Sequence, residues 1–105
     1  MTKKEEVNVD YWDNGNKKVE THYKNGKPDG LTTGWYDSGK KKGETHYKNG
    51  KPDGLTTMFY ESAGKGVEGH YKNGKKEGLQ TAWYESGEKE HEIYFQEGEE
   101  TNFKK

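Results

Sequence analysis

The sequence predicts an all-β fold: an elongated, single-layer antiparallel meander of about nine short strands, built from 24-residue β-hairpin repeats. Three observations lead there. The phrase Tyr-Lys-Asn-Gly-Lys-x-x-Gly occurs at Tyr23–Gly30, Tyr47–Gly54 and Tyr71–Gly78, with starts 24 residues apart. Glycines preceded by Asn or Ser recur at Gly15, Gly26, Gly39, Gly50, Gly74 and Gly87, while Gly64 follows Ser62-Ala63 and Gly98 continues the series after Glu97. An aromatic stands three residues before most of them: Trp12, Tyr23, Tyr36, Tyr47, Tyr71, Tyr84 and Phe95. Asn-Gly and Ser-Gly take up positive φ cheaply, so turn signals every 11 to 13 residues mark short antiparallel strands and not helices.

Taken in order, the strands are expected at Glu6–Trp12, Val19–Lys24, Leu31–Tyr36, Gly43–Lys48, Leu55–Tyr60, Val67–Lys72, Leu79–Tyr84, Glu90–Phe95 and Glu100–Phe103. Two connections alternate between them. One is the tight Asp-Ser-Gly kind near Ser38. The other is the longer Asn-Gly-Lys-Pro-Asp-Gly kind, which holds Pro28 and Pro52 because proline lacks an amide donor for a central strand. Ala63 reads as an insertion that displaces Tyr60 by one from its glycine. Residues 1–105 form one repeat domain, with units at about 7–30, 31–54, 55–78 and 79–103. The ends are atypical. Val7 and Val9 alternate with Asn8 and Asp10 in the first strand, and the last stretch lacks the Lys-x-x-Gly signature. Lys3, Lys4, Glu5, Glu99, Glu100, Lys104 and Lys105 place charge where it discourages edge pairing.

Side-chain alternation divides each strand between two faces. Collecting the apolar positions predicts one face with Val19, Thr21, Tyr23, Leu31, Thr33, Trp35, Thr45, Tyr47, Leu55, Thr57 and Phe59, continued by Val67, Tyr71, Leu79, Thr81, Trp83, Ile93 and Phe95. The other face then carries Glu20, His22, Tyr36, Glu44, His46, Met58, Tyr60, Glu68, His70, Ala82, Tyr84, Glu92 and Tyr94.

Composition narrows the function. Only 25% of the residues are hydrophobic and 35% are charged, yet aromatics reach 13% and sit at fixed repeat positions. That is too little apolar mass for a thick core and too regular an aromatic pattern for a disordered chain. The net charge of −1, from 18 basic and 19 acidic residues, lacks the basic surplus of a nucleic-acid binder. With no cysteine there is no disulfide framework or zinc-finger spacing. The opening MTKKEEVNVD has no apolar run, so the expected location is cytoplasmic, although a chain whose leader had been removed would read the same.

Tyr-x-Asn-Gly-Lys-x-x-Gly, followed by a Leu-x-x-x-Trp/Phe-Tyr-x-Ser-Gly strand, resembles the MORN repeat, and more closely the variant MORN repeats of YwqK-type bacterial antitoxins. The resemblance spans Tyr11 to Phe103 in four units. It implies side-by-side β-hairpins in a twisted sheet and a role in protein contact, scaffolding or, for some members, lipid association. It carries over no catalytic residue. Met58 and Ala82 stand where Gly34 stands in its own unit.

The candidate partner-binding residues are Trp35, Phe59 and Trp83, then Tyr36, Tyr60 and Tyr84, and His22, His46 and His70. Each set recurs every 24 residues. The aromatic row is either the sheet's own apolar stripe or an anchor for a partner, and a sheet with no second layer lets it be both. The histidines lie two strands apart, roughly 10 Å, too far for one metal ion, and read as a surface ladder beside the tyrosines. No catalytic set, cofactor or metal site is expected. The function expected is that of a non-catalytic repeat protein binding a protein partner, a toxin being one such partner. Glycan, cell-wall or lipid-headgroup binding, or a structural array without a ligand, are the alternatives, and a homodimer through the aromatic face would cover that stripe.

Overall fold

A computed structural model describes residues 4–101. They form a nine-stranded sheet in the order β1-β2-β3-β4-β5-β6-β7-β8-β9, every neighbour antiparallel. The strands are β1 Glu5–Tyr11, β2 Lys17–Lys24, β3 Lys27–Trp35, β4 Lys41–Lys48, β5 Lys51–Phe59, β6 Lys65–Lys72, β7 Lys75–Trp83, β8 Lys89–Gln96 and β9 Glu99–Thr101. The sheet measures 51 × 38 × 13 Å, one layer thick. Phe103, expected to close the last strand, lies outside the described residues with Lys3, Lys104 and Lys105.

The two kinds of turn are resolved by their dihedrals. Asn25–Gly26, Asn49–Gly50, Asn73–Gly74 and Glu97–Gly98 all have positive φ at both positions, the signature of a two-residue type I′ hairpin. That turn places Lys24 opposite Lys27 and Tyr23 opposite Pro28. Pro28 and Pro52 therefore lie in β3 and β5 and not in a long loop as expected. They are tolerated because the residue next to the hairpin's first pair is a non-hydrogen-bonded one, so the missing N–H faces away from the partner strand. Beyond it the register slips. Thr21 faces Thr32 and Tyr23 faces Pro28, so His22 faces Asp29, Gly30 and Leu31 together. Gly30, at φ +107°, carries this bulge, and Gly54 at +113° does the same in the next unit.

The other turns are three-residue loops. Trp12 N–H donates to Asn16 C=O and Gly15 N–H returns to Trp12 C=O, and the bonds recur at Tyr36, Tyr60 and Tyr84. The third loop residue is left-handed: Gly15, Gly39, Ala63 and Gly87 have φ of 94°, 95°, 84° and 99°. Ala63 is thus a substitution at the glycine position, not an insertion, and Tyr60 is not displaced. A one-residue bulge follows each loop, at Lys18 in the first, since Asp10 faces Val19 while Tyr11 faces Lys17.

This register corrects the expected faces. Leu31 faces His46, Thr33 faces Glu44, and Gly30 faces Tyr47. Leu31, Thr33 and Trp35 therefore share a face with Glu20, His22, Glu44 and His46, and Tyr23 and Tyr47 lie on the opposite one. A one-residue slip exchanges every side chain between faces. Collecting all apolar positions on one face assumed that these thin strands sort by polarity, and they do not: among the described residues no apolar side chain is buried. The buried side chains among these residues are Thr33, Thr57 and Thr81, one in each of the last three units and in a single row.

Backbone bonds between units take the place of a core. At the Asn-Gly end, Asn49 N–H donates to Asp29 Oδ2 (3.1 Å) and Gly50 N–H to Pro28 C=O (2.8 Å). Asn73 repeats this on Asp53 and Pro52, and Glu97–Gly98 on Glu77 and Lys76. At the other end Trp12 Nε1–H donates to Trp35 C=O (3.1 Å), Tyr36 O–H to Phe59 C=O (2.7 Å) and Tyr60 O–H to Trp83 C=O (2.5 Å). Each unit is thus tied to the next at both ends of its hairpin, by bonds that contribute about 1 kcal/mol apiece.

Candidate functional site

One face carries three parallel rows, each set by the pairing just described. The first joins Leu31, Leu55 and Leu79 to the facing residues His46, His70 and Tyr94, with Val7 facing His22 at the start. The second joins the buried threonines to Glu20, Glu44, Glu68 and Glu92. The third joins Trp35, Phe59 and Trp83 to Lys41, Lys65 and Lys89.

The histidines serve the bulges. His22 Nδ1 lies 2.7 Å from Leu31 C=O and His46 Nδ1 lies 3.0 Å from Leu55 C=O, each nitrogen carrying the proton if it bonds there. At the third unit Gln80 Nε2–H donates to His70 C=O instead. The expected ladder of histidines beside tyrosines does not form. Tyr36, Tyr60 and Tyr84 stand in the three-residue loops at the far end of the strands, while His46 and His70 face leucines. Tyr36 and Tyr60 are half-buried by their bonds to the next unit, whereas Tyr84 is 52% exposed.

Trp35, Phe59 and Trp83 share the face with the histidines and are half-buried. Lys17 Nζ lies 5.5 Å from the Trp35 ring centroid, and Lys65 Nζ lies 5.9 Å from that of Trp83. The same lysines pair with glutamates three residues on: Lys17–Glu20 at 2.9 Å, Lys41–Glu44 at 2.7 Å, Lys65–Glu68 at 3.0 Å and Lys89–Glu92 at 2.6 Å. The bulged residue between them brings an i,i+3 pair onto one face of a strand. The hydrogen bond from Lys17 holds the Glu20 carboxyl below the usual carboxylate range, and the bond to Glu20 raises the Lys17 ammonium above its ordinary value. Both shifts move away from neutrality. The pair consists of fixed charges and not of groups poised to exchange a proton near pH 7.

Sequence reasoning missed this ladder, although Lys-x-x-Glu recurs every 24 residues from Lys17. The repeat itself clusters six lysines at one end of the sheet, and the pairing sets them on this same face. Lys24–Lys27, Lys48–Lys51 and Lys72–Lys75 are directly opposed pairs at the Asn-Gly end. Asp29, Asp53 and Glu77, which stand beside them, accept from backbone N–H groups of the neighbouring unit. Among the described residues these six lysines make no ion pair. On the opposite face Met58 and Val67 face each other and are 41% and 43% exposed. No three histidine, aspartate or glutamate side chains converge as a metal site among the described residues.

Sequence period, hairpin geometry and a single open sheet define a β-hairpin repeat protein. The family model described as a MORN repeat variant matches residues 8–25, 28–49 and 76–97, more than half of the chain, and the chain belongs to that family. The family is generally non-enzymatic. The unit between the last two matches keeps its strands, β5 and β6, with Ala63 in its loop and Gly66 at the bulge in β6. No curated protein matches the chain. No helix of the described residues is long and apolar enough to cross a membrane.

Proposed function

We propose that this chain is a non-catalytic binding module that docks a protein partner on the face bearing Trp35, Phe59 and Trp83. One observation carries the reading: that face sets half-buried aromatics beside fixed Lys–Glu pairs, on a sheet whose 13 Å thickness leaves both faces without a covering layer. Aromatic anchors rimmed by charge are the usual anatomy of a protein-contact surface. Within this reading the partner is a toxin, held inactive because the sheet covers its working surface. His22, His46 and His70 extend the same surface toward the Asn-Gly end. Tyr36 and Tyr60 act indirectly, by holding the strand ends that present the aromatics.

The six lysines at the Asn-Gly end, which make no ion pair among the described residues, favour a second reading, contact with an anionic lipid headgroup surface. Affinity capture from the source cell, with Trp35→Ala/Trp83→Ala alongside, separates the two. A protein recovered near equal amount by the parent chain and lost by the folded variant supports partner docking, and its toxicity in the absence of this chain identifies it as a toxin. Equal recovery by both refutes the aromatic surface. Flotation with anionic vesicles, abolished when the six lysines become glutamine, supports the lipid reading.

A further inference from the structure

We infer that two copies of this chain stack through the face opposite the aromatic row, as a two-layer sandwich about a two-fold axis parallel to the strands between β4 and β5. The Trp35 face is then turned outward on both copies, free for the docking proposed above.

The pairing sets three rows on that opposite face, led in β1 by Glu6, Asn8 and Asp10. The chain is 35% charged, yet from β2 to β6 no residue of these rows carries a charge. Lys18 and Lys42, at the loop bulges beside them, lie over the Trp12 and Tyr36 rings at 4.7 and 5.8 Å. An uncharged sheet face in so charged a chain marks a contact surface.

The row led by Asp10 identifies the occupant. In β3 and β4 it is hollow: Gly34 faces Gly43, and a Cβ added to Gly34 would meet nothing closer than 3.7 Å. In β5 and β6 it is raised: Met58 faces Val67, and the two are 41% and 43% exposed. A two-fold axis between β4 and β5 lays each row on itself in reverse strand order. Val67 of each copy then fills the hollow over Gly34 of the other, and Val19 lies over the small Ala82 of the next strand. Met58 lies across Gly43 in its own sheet, so the methionines of the two copies fill the gap at the axis.

The other two rows obey the same operation. Tyr47 of one copy meets Pro52 of the other, and Tyr71 meets Pro28, flat ring on flat ring. Thr45 meets Thr56, and Thr32 lies over Gly69. At the outer strands Asp10 lies over His91, a carboxylate against an imidazole N–H. A surface whose halves complement each other fits a copy of itself. Aligned packing about 10 Å apart is how two sheets cover their uncharged faces.

Area and reach agree with this. Half of the 51 × 38 Å outline already exceeds the roughly 800 Å² per partner of a standard interface. Residues 1–3 and 102–105 continue from β1 and β9. Four extended residues span at most about 14 Å, whereas the axis lies roughly 17 Å from β1 and farther from β9, so the central pairs are beyond them.

Sedimentation equilibrium of the full chain, from about 1 µM to about 1 mM, tests the inference. The parent should approach twice 12.1 kDa. Met58→Lys and Val67→Lys, at two exposed positions, should stay at monomer mass with an unchanged circular dichroism spectrum, while folded Trp35→Ala/Trp83→Ala should still dimerise. The chain has no cysteine, so one introduced in an exposed loop reports the axis. Across it, position 38 lies roughly 14 Å from its copy and position 86 roughly 30 Å. A bismaleimide spanning the shorter distance should link Ser38→Cys chains and not Ser86→Cys chains. A parent that is monomeric throughout overturns the inference. So does a dimer that survives both lysine variants, one that the aromatic variant abolishes, or linkage at position 86 in place of position 38.

Discussion

Replacing Ala63 by glycine should stabilise the protein, an unusual expectation for a mutation that only removes a methyl group. Ala63 holds φ +84° at a position filled elsewhere by Gly15, Gly39 and Gly87. For an L-residue the left-handed region costs about 1–2 kcal/mol. Glycine gives back part of this, because its greater freedom in the unfolded chain costs about 0.4–1 kcal/mol. The net gain is about 0.5–1 kcal/mol, since Ala63 is exposed and its methyl fills no core. For a domain near 100 residues this raises Tm by about 2–8 °C. Gly87→Ala is the mirror experiment. A Cβ there meets nothing within 4 Å, so its cost is conformational alone. It should lose about what Ala63→Gly gains. Calorimetry of the two variants and the parent decides the matter, and an unchanged Tm in both would refute the conformational account.

Two further expectations follow from the side-chain bonds. Tyr36→Phe and Tyr60→Phe each remove one bond between units and should cost about 1 kcal/mol in urea unfolding, whereas Tyr84→Phe in dilute solution should cost nothing measurable; equal losses at all three would sink the ladder. The Lys17–Glu20 pair should contribute over a defined pH range. Glu20 titrates below its ordinary value, so its contribution is present above that value and is lost as pH falls through the lower one. Lys17 titrates above its ordinary value, so its contribution is lost only as pH rises through the higher one. The urea midpoint of Lys17→Met should therefore fall below the parent's at neutral pH and converge with it in strong acid, and a gap that persists there would count against the pair.

The turn spacing made the nine strands legible, because each reversal needs a positive φ and Asn-Gly or Ser-Gly supplies it visibly. The faces were not legible, and the cause is local. Sorting by polarity assumes that one side of each strand is buried, but a 13 Å sheet buries neither side. Register then depends on bulges at Gly30, Gly54 and Gly78, and counting residues between turns does not reveal them. A signal was present nonetheless. Gly30 sits two residues after Pro28, where neither loop closure nor packing calls for a glycine, and it recurs at Gly54 and Gly78. Ala63 was misread for a simpler reason: position 63 is Gly39 plus one period, so counting by 24 identifies a substitution. Trp35, Phe59 and Trp83 fall in one row, as their 24-residue spacing implies. Bringing the histidines onto the same face as the tryptophans required the pairing itself.

The 24-residue spacing also governs how such a chain can lengthen. Two strands and two turns with their bulges make one period, so inserting a whole period returns each later residue to the same face, the same turn and the same neighbours. Inserting any fraction would turn the downstream side chains over or leave a loop aromatic facing the wrong carbonyl. Since Trp12, Tyr36 and Tyr60 each reach only into the adjacent unit, an added copy meets familiar contacts on both sides and disturbs no distant one. Gene duplication in steps of 72 nucleotides is therefore structurally silent in this fold, and the unaltered recurrence of YKNGKPDGLTT is the kind of sequence such growth leaves behind.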